Sequence, residues 1–301
     1  MSETVGRLND PAQVRRLVLD DAVFTYVVDG VTTVSTDGFF PSVPARYWAE
    51  HTDALDSRQR VVMSTGGLLI ERAGHRVMID AGLGDLSVDT AAVAVQTGAF
   101  LDVLSAIGVD PSDIDTLAFT HLHADHTGWA FTHTADGKLA KTFPNAGYLL
   151  SAQEWQPFPR GERPVGAPPH DTFIEPLAEV RTLIGDGEEI APGVVAIVTP
   201  GHSAGHTSYL VTTNAGKRLI AFGDVFHTPI QITRPDWCSS PDVDAAGVLD
   251  ARARVLDELT QLDTFGFGVH FGDQPFGRVA RPADGQFHWS PTPSSTIMSA
   301  P

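Results

Sequence analysis

The sequence predicts an α/β layered sandwich, with sheets packed together and covered by helices on the outside. Short β-type runs rich in Val, Ile, Phe and Tyr recur along the chain, bounded by Gly, Asn or Asp. Only two helical patterns stand among them, well separated, and few helices among many strands point to stacked sheets. No Gly/Ser linker, low-complexity tract or repeat divides the 301 residues, so the chain reads as one domain, 1–301, with long loops.

The strand-like runs are VFTYVVDG (23–30), RVVMSTGGLLIE (60–71), HRVMIDAG (75–82), IDTLAFT (114–120) and AGYLLS (146–151). VVAIVTPG (194–201), TSYLVTT (207–213), RLIAFGD (218–224), FGFGVHFGD (265–273) and RVARPADGQFHWS (278–290) follow. Residues 91–108 predict a helix with Val93, Phe100, Leu104 and Ile107 on one face and a stop at Gly108. Residues 243–262 predict a second, with Val248, Leu249, Val255, Leu256, Leu259 and Leu262 on one face. Stretches 37–59, 129–145 and 156–171 read as long loops, which usually shape a site or are disordered. Their aromatics, among them Phe39, Phe40, Trp48 and Trp155, suit either a pocket rim or the core and dimer contacts.

Composition narrows the function. A formal charge of −17 argues against nucleic acid and anionic membrane surfaces, whose recognition needs basic patches; it also simply favours solubility. The one cysteine, Cys238, leaves no internal disulfide framework and no cysteine-rich zinc finger. The N-terminus shows no apolar signal region, and no run is long enough to span a membrane. The expectation is a cytoplasmic protein with a small-molecule substrate; the apolar loop 37–59 leaves a homodimer open.

The densest chemistry lies in THLHADHTGW, 120–129, where His121, His123, Asp125 and His126 fall within six residues. The string follows the run IDTLAF and so sits at a strand's carboxyl end. Two histidines two apart just past a strand can converge on one ion. Asp125 and His126 can point to another as the chain turns toward a helix. Neutral imidazole and carboxylate suit zinc, manganese, iron or cobalt. Four donors cannot close two coordination spheres, so more are expected at later strand ends. His202 in TPGHSAGHTS, Asp224 ending RLIAFGD and His270 ending FGFGVH fit. The bland alternatives are a turn aspartate for Asp224 and a core histidine for His270. His206 reads as a framework hydrogen-bonder, since its neighbour His202 suits the ligand place better.

This order and spacing resemble the metallo-β-lactamase superfamily, over most of the chain from Asp80 in VMIDAGLGD to His270. The resemblance implies an αβ/βα sandwich, two mixed sheets with helices on the outside and two metals between them. By position it implies that His121, His123 and His202 hold one ion and that Asp125, His126 and His270 hold the other. Asp224 would bridge both, and Asp80 would support the ligands or, in the plainer reading, cap a turn. The implied cofactor is two divalent ions, zinc first, with manganese, iron or cobalt as alternatives.

Departures within the superfamily sharpen the expectation. Di-iron redox members carry a carboxylate where His123 stands, which favours hydrolysis here. Asp224 occupies the place where β-lactamases carry cysteine or lack the bridging residue. Nuclease branches work on polyanions, which suits the −17 charge badly. Glyoxalase-type thioesterases carry the histidine string early, whereas 120 residues precede it here. That lead, and the ending VHFGDQPFGRVARPADGQFHW, resemble the branch of N-acyl homoserine lactonases and methyl parathion hydrolases. The lactonases place a substrate-touching tyrosine where this chain has His227, which reads equally as an oxyanion donor or a surface histidine. The expectation is a dinuclear metal-dependent hydrolase using a metal-bridging hydroxide on an ester or lactone of a small, largely neutral substrate. Asp125, Asp224 and His227 are its catalytic candidates, Asp125 for orienting water or moving a proton. Alternatives are phosphotriester hydrolysis, or a non-hydrolytic biosynthetic enzyme or metal-dependent binding protein on the same scaffold.

Overall fold

In the computed structural model, which describes residues 3–280 and 285–299, the strands assemble into two large mixed sheets. The first is built on two long antiparallel strands, Ala22–Ser35 and Arg60–Arg72. It runs on antiparallel to His75–Ile79, then by parallel steps through Thr116–Ala118, Gly147–Ser151 and Arg181–Ile184. On its other side lie Val14–Leu19 and Ser294–Met298. The second sheet runs from Glu189–Ala191 through Val194–Val198, Thr207–Thr212 and Arg218–Ala221 to Thr264–Phe267, Phe276–Ala280 and His288–Pro291. Its one parallel step, Arg218–Ala221 to Thr264–Phe267, requires a crossover, and the helix Ala245–Leu259 supplies it.

The main core lies between the sheets, where Tyr26, Leu69 and Phe119 of the first meet Tyr209, Leu219 and Phe267 of the second. A second cluster forms beneath the helix Ala245–Leu259, with Ala251, Val255, Leu256 and Leu259 against Phe222 and Phe226. Asp244 caps that helix by accepting from the Ala246 N–H. Its buried stripe is narrower than the sequence suggests: Leu249 and Leu262 are exposed, at 44% and 84%. Among the described residues no helix is long and apolar enough to cross a membrane.

Other expectations are corrected. The helix expected over 91–108 is two elements, a strand Val93–Thr97 and a helix Phe100–Ala106. Val93, Val95 and Thr97 are β-branched at alternate positions. They follow the period of the Ala22–Ser35 strand, against which Val95 pairs with Thr32 and Val93 with Val34. Gly98 at φ +134° then breaks the chain before the helix. The expected loops carry structure: helices Thr36–Phe39 and Ala45–Glu50 lie in 37–59, and a hairpin of Phe131–His133 with Leu139–Lys141 in 129–145. Run 278–290 contributes to two strands, Phe276–Ala280 and His288–Pro291, and residues 281–284 lie outside the described residues. Phe40 and Trp48 are core rather than rim, packed with Trp237 in a third cluster.

Two devices place the loops that matter. A bulge between Val28 and Gly30 re-aims Asp29, whose carboxylate accepts from the N–H groups of Leu83, Gly84, Gly98 and Phe100 and from Trp129 Nε1. One side chain thereby fixes the segment after Asp80 and the end of the histidine string. The sheets are also pinned to each other. Tyr209 donates its hydroxyl to Phe119 O at 2.8 Å, and Tyr26 donates to Val269 O at 2.7 Å. Arg15 grips Asp273, three residues past His270, with Nε 2.6 Å from Oδ1 and both side chains almost fully buried. Removing one partner of such a pair strands a buried charge. Arg15→Ala is therefore expected to lower unfolding free energy by about 3–5 kcal/mol in denaturant titration. A loss under about 1 kcal/mol would show the pair to be no stronger than a surface contact.

Candidate metal centre

Each expected donor sits just beyond the carboxyl end of a strand: the histidine string after Thr116–Ala118, His202 after Val194–Val198, Asp224 after Arg218–Ala221 and His270 after Thr264–Phe267. The docked sheets bring all seven together. Among the described residues they form two groups, His121, His123, His202 and Asp224 in one and Asp125, His126 and His270 in the other. Asp224 faces both. Its Oδ2 lies 3.3 Å from His202 Nε2 and 3.7 Å from His121 Nε2. Its Oδ1 lies 3.3 Å from His126 Nε2 and 3.1 Å from His270 Nε2. His123 Nδ1 is 3.1 Å from His202 Nε2, and Asp125 Oδ2 is 3.7 Å from the Nε2 atoms of both His126 and His270.

These spacings are what shared ions require, since two donors at about 2.1 Å from one tetrahedral ion lie about 3.4 Å apart. The chemistry agrees. His121 Nε2, His126 Nε2 and Asp224 Oδ1 are buried without any hydrogen-bond partner. Orphaned polar atoms are costly in the interior unless something coordinates them. The donor set fits two divalent cations.

The ring nitrogens that face away from the centre are held by other groups. Asp80 Oδ2 lies 2.8 Å from His126 Nδ1, and the same carboxylate accepts from the N–H and hydroxyl of Thr120. Asp80 is buried and adopts φ +64°, so it does more than cap a turn; its three bonds hold a backbone conformation that non-glycine residues rarely adopt. His270 Nδ1 donates to Ser64 O at 2.8 Å, and His202 Nδ1 lies 2.9 Å from Asp242 Oδ1. His206 Nε2 accepts from the Asp224 N–H at 3.0 Å, with Nδ1 against Thr199 Oγ1 at 2.9 Å. That is the framework role expected of it. Gly223, at φ +50°, is required there because a Cβ would sit 2.6 Å from His206 Nε2.

Sequence reasoning missed Glu154. It occupies S-x-x-E, where Ser151 Oγ accepts from the Glu154 N–H as in an ordinary helix start. Its carboxylate turns away instead, accepting from Leu122 N, Ser203 Oγ and Gly205 N, and so ties the first histidine loop to the loop of His202. The local pattern signals a cap, and only the tertiary fold reveals the tie.

Electrostatics follow from burial. In the metal-free protein, burial and the neighbouring imidazoles push His121 well below the usual histidine range. Burial opposes charge on His126, His202 and His270 too, but Asp224 and other carboxylates overcome it and raise all three, His202 to about 9. Burial would raise Asp224, yet His270 and His126 hold it well below the carboxylate range.

A cavity of about 500 Å³ opens over the centre. Asp125, Asp224, His227 and His270 form its polar end, while Val34, Met63, Val93 and Val95 form an apolar wall. Phe39 is the loop aromatic that reaches this cavity. His227 is 1% exposed, so it is no surface histidine. Its Nε2 lies 3.2 Å from Asp224 Oδ2 with no hydrogen-bond partner.

Two mixed sheets with a histidine–aspartate centre where strand ends converge are the architecture of metal-dependent hydrolases. The chain belongs to the metallo-beta-lactamase superfamily, whose family model matches residues 67–265. The N-acyl homoserine lactonase AttM of Agrobacterium fabrum is 30% identical over 134 residues, 42% of this chain and 47% of AttM. The N-acyl homoserine lactonase AiiA of Bacillus thuringiensis subsp. kurstaki is 23% identical over 173 residues, 53% of this chain and 63% of AiiA. The matches thus span about half to under two thirds of these relatives. Among solved structures, the hydrolase AbOPH of the beta lactamase superfamily superposes with a TM-score of 0.77 at 22% identity, over 93% of this chain and 98% of its own. AidC, a dizinc quorum-quenching lactonase, superposes at 0.76 and 21% identity, over 94% and 99%. At such identities the structures speak for the fold.

The raised histidines set a pH dependence. A coordinating imidazole must be neutral, so an ion entering this site displaces the protons held on His126, His202 and His270. Metal affinity is expected to climb as pH rises from below 7 through about 9, where His202 titrates. Chelator-competition titrations across that range check this. A flat affinity would show the rings to be neutral before binding.

Proposed function

We propose that the chain is a dinuclear metal-dependent hydrolase that cleaves an ester or lactone of a small, largely neutral substrate. An N-acyl lactone with an apolar chain is the favoured class. The observation that carries this reading is the division of Asp224's two oxygens between two donor groups, directly beneath an apolar cavity. The lactonase relatives and the charge of −17, which disfavours polyanions, support it.

When bound, two divalent ions supply Lewis acidity toward a carbonyl oxygen and acidify water. The protein's own residues do the rest. Asp125, with 34% of its side chain exposed, is the most exposed of the donors that line the cavity. Its carboxylate orients water and passes the proton to the leaving alkoxide. His227 lines the cavity beside Asp224, with Ser239 Oγ 3.3 Å from its Nδ1. With Ser239 donating to Nδ1, the proton stands on Nε2 and is donated to the carbonyl oxygen as charge builds there. The wall of Val34, Met63, Val93 and Val95 takes the acyl chain and excludes water.

The test is turnover of an acyl lactone, an aryl ester, a phosphotriester and a β-lactam by zinc- or manganese-loaded protein, with His123→Ala as control. Lactone or ester turnover lost in the control is the expected result. Turnover of the phosphotriester alone would move the chemistry to that class, and no turnover with two metals bound would sink the hydrolase reading. His227→Ala is expected to lower kcat by about 10²–10³ with a smaller change in KM. An unchanged kcat would remove His227 from the reaction.

A further inference from the structure

His202 is held differently from the other rings of its group. Its Nδ1 lies 2.9 Å from Oδ1 of Asp242, a carboxylate only 2% exposed and placed between the metal centre and the helix Ala245–Leu259. The other oxygen of Asp242 accepts from the Ser239 N–H at 2.8 Å and faces Arg252 Nη2 at 3.6 Å. Arg252 is completely buried on that helix. Its Nε donates to Val225 O at 2.9 Å, and its Nη1 donates to Pro235 O at 2.9 Å and Trp237 O at 2.8 Å. Val225 adjoins Asp224, and Trp237 lies in the segment leading to Asp242. One guanidinium therefore braces both the loop that carries the shared carboxylate and the loop that carries the partner of His202. Among the described residues, the carboxylate of Asp242 bonds His202, Ser239 and Arg252 and touches none of Asp125, His126 or His270.

We propose that Asp242, held by Arg252, is a positioning residue for His202. It keeps the proton on Nδ1 and aims the Nε2 lone pair at the ion shared with His121, His123 and Asp224. The inference rests on the dinuclear reading above. Outer partners of this kind fix a ligand's tautomer and raise its basicity, and their loss weakens metal binding by roughly 10–100-fold. The asymmetry is the distinctive point: the effect falls on one of the two sites.

Asp242→Asn keeps the shape and removes the charge. Asp242→Glu keeps a carboxylate for Arg252 but shifts it along the chain by one methylene. Metal affinities of the wild-type chain and both variants are measured by chelator competition. Cobalt(II) absorbance separates the two sites, and circular dichroism checks the fold. The expected result is a fall of roughly 10–100-fold at one site with the other unchanged, in both variants. If the Asn variant does not fold, the Glu variant decides. Wild-type affinity at both sites, or equal weakening of both, overturns the positioning role and leaves the metal centre standing. A wild-type chain that binds no metal overturns the metal centre and this inference with it.

Discussion

A carboxylate taken almost wholly out of water, Asp224, has to be compensated on both of its oxygens at once, and much of the structure is arranged around that constraint. Imidazoles face it from two sides at 3.1–3.7 Å. Those imidazoles come from both sheets, so the sheets cannot shift against each other without uncovering the charge. The buried tyrosine bonds from Tyr209 to Phe119 and from Tyr26 to Val269 lock the same interface next to the first histidine loop and next to His270. Fold and centre thus share one seam, and disturbing the seam disturbs both.

Around that seam three of the imidazoles are oriented by groups from separate parts of the chain: a carboxylate for His126, another for His202, a backbone carbonyl for His270. These partners arise from the turn after His75–Ile79, the loop before the helix Ala245–Leu259 and the strand Arg60–Arg72. Such diversity means that no single loop movement loosens the whole set. It is the physical content of a preorganised site: the geometry is held before any ligand arrives.

The donors were legible in the sequence because they follow apolar β-runs and carry chemistry that the core does not need. Strand-end position is a local property, so HLHADH, His202, Asp224 and His270 could be placed without knowing which strands pair. Glu154, Asp29 and Asp242 were not legible as supports, because each imitates a local signal: a helix cap, a turn after a strand, a helix start. Their partners lie tens of residues away, and only docking of the sheets reveals them. Residues 91–108 misled for a different reason. Val93, Phe100, Leu104 and Ile107 fall at helical spacing, and the pairing of Val93 and Val95 with the Ala22–Ser35 strand overrides that pattern. The aromatics Phe40 and Trp48 could not be assigned at all from sequence, since a loop that folds into its own small core has the same composition as a pocket rim.

That overridden segment has a consequence for how such a protein changes over generations. The hairpin of Leu86–Asp89 and Val93–Thr97 attaches to one half of a single strand and supplies apolar wall but none of the seven donors. Its outer strand is exposed at every position. Part of the cavity wall is therefore encoded in a stretch of chain that carries none of the donors. Mutations can accumulate in the hairpin, lengthening, shortening or recolouring the wall, while the inherited chemistry beside it stays intact.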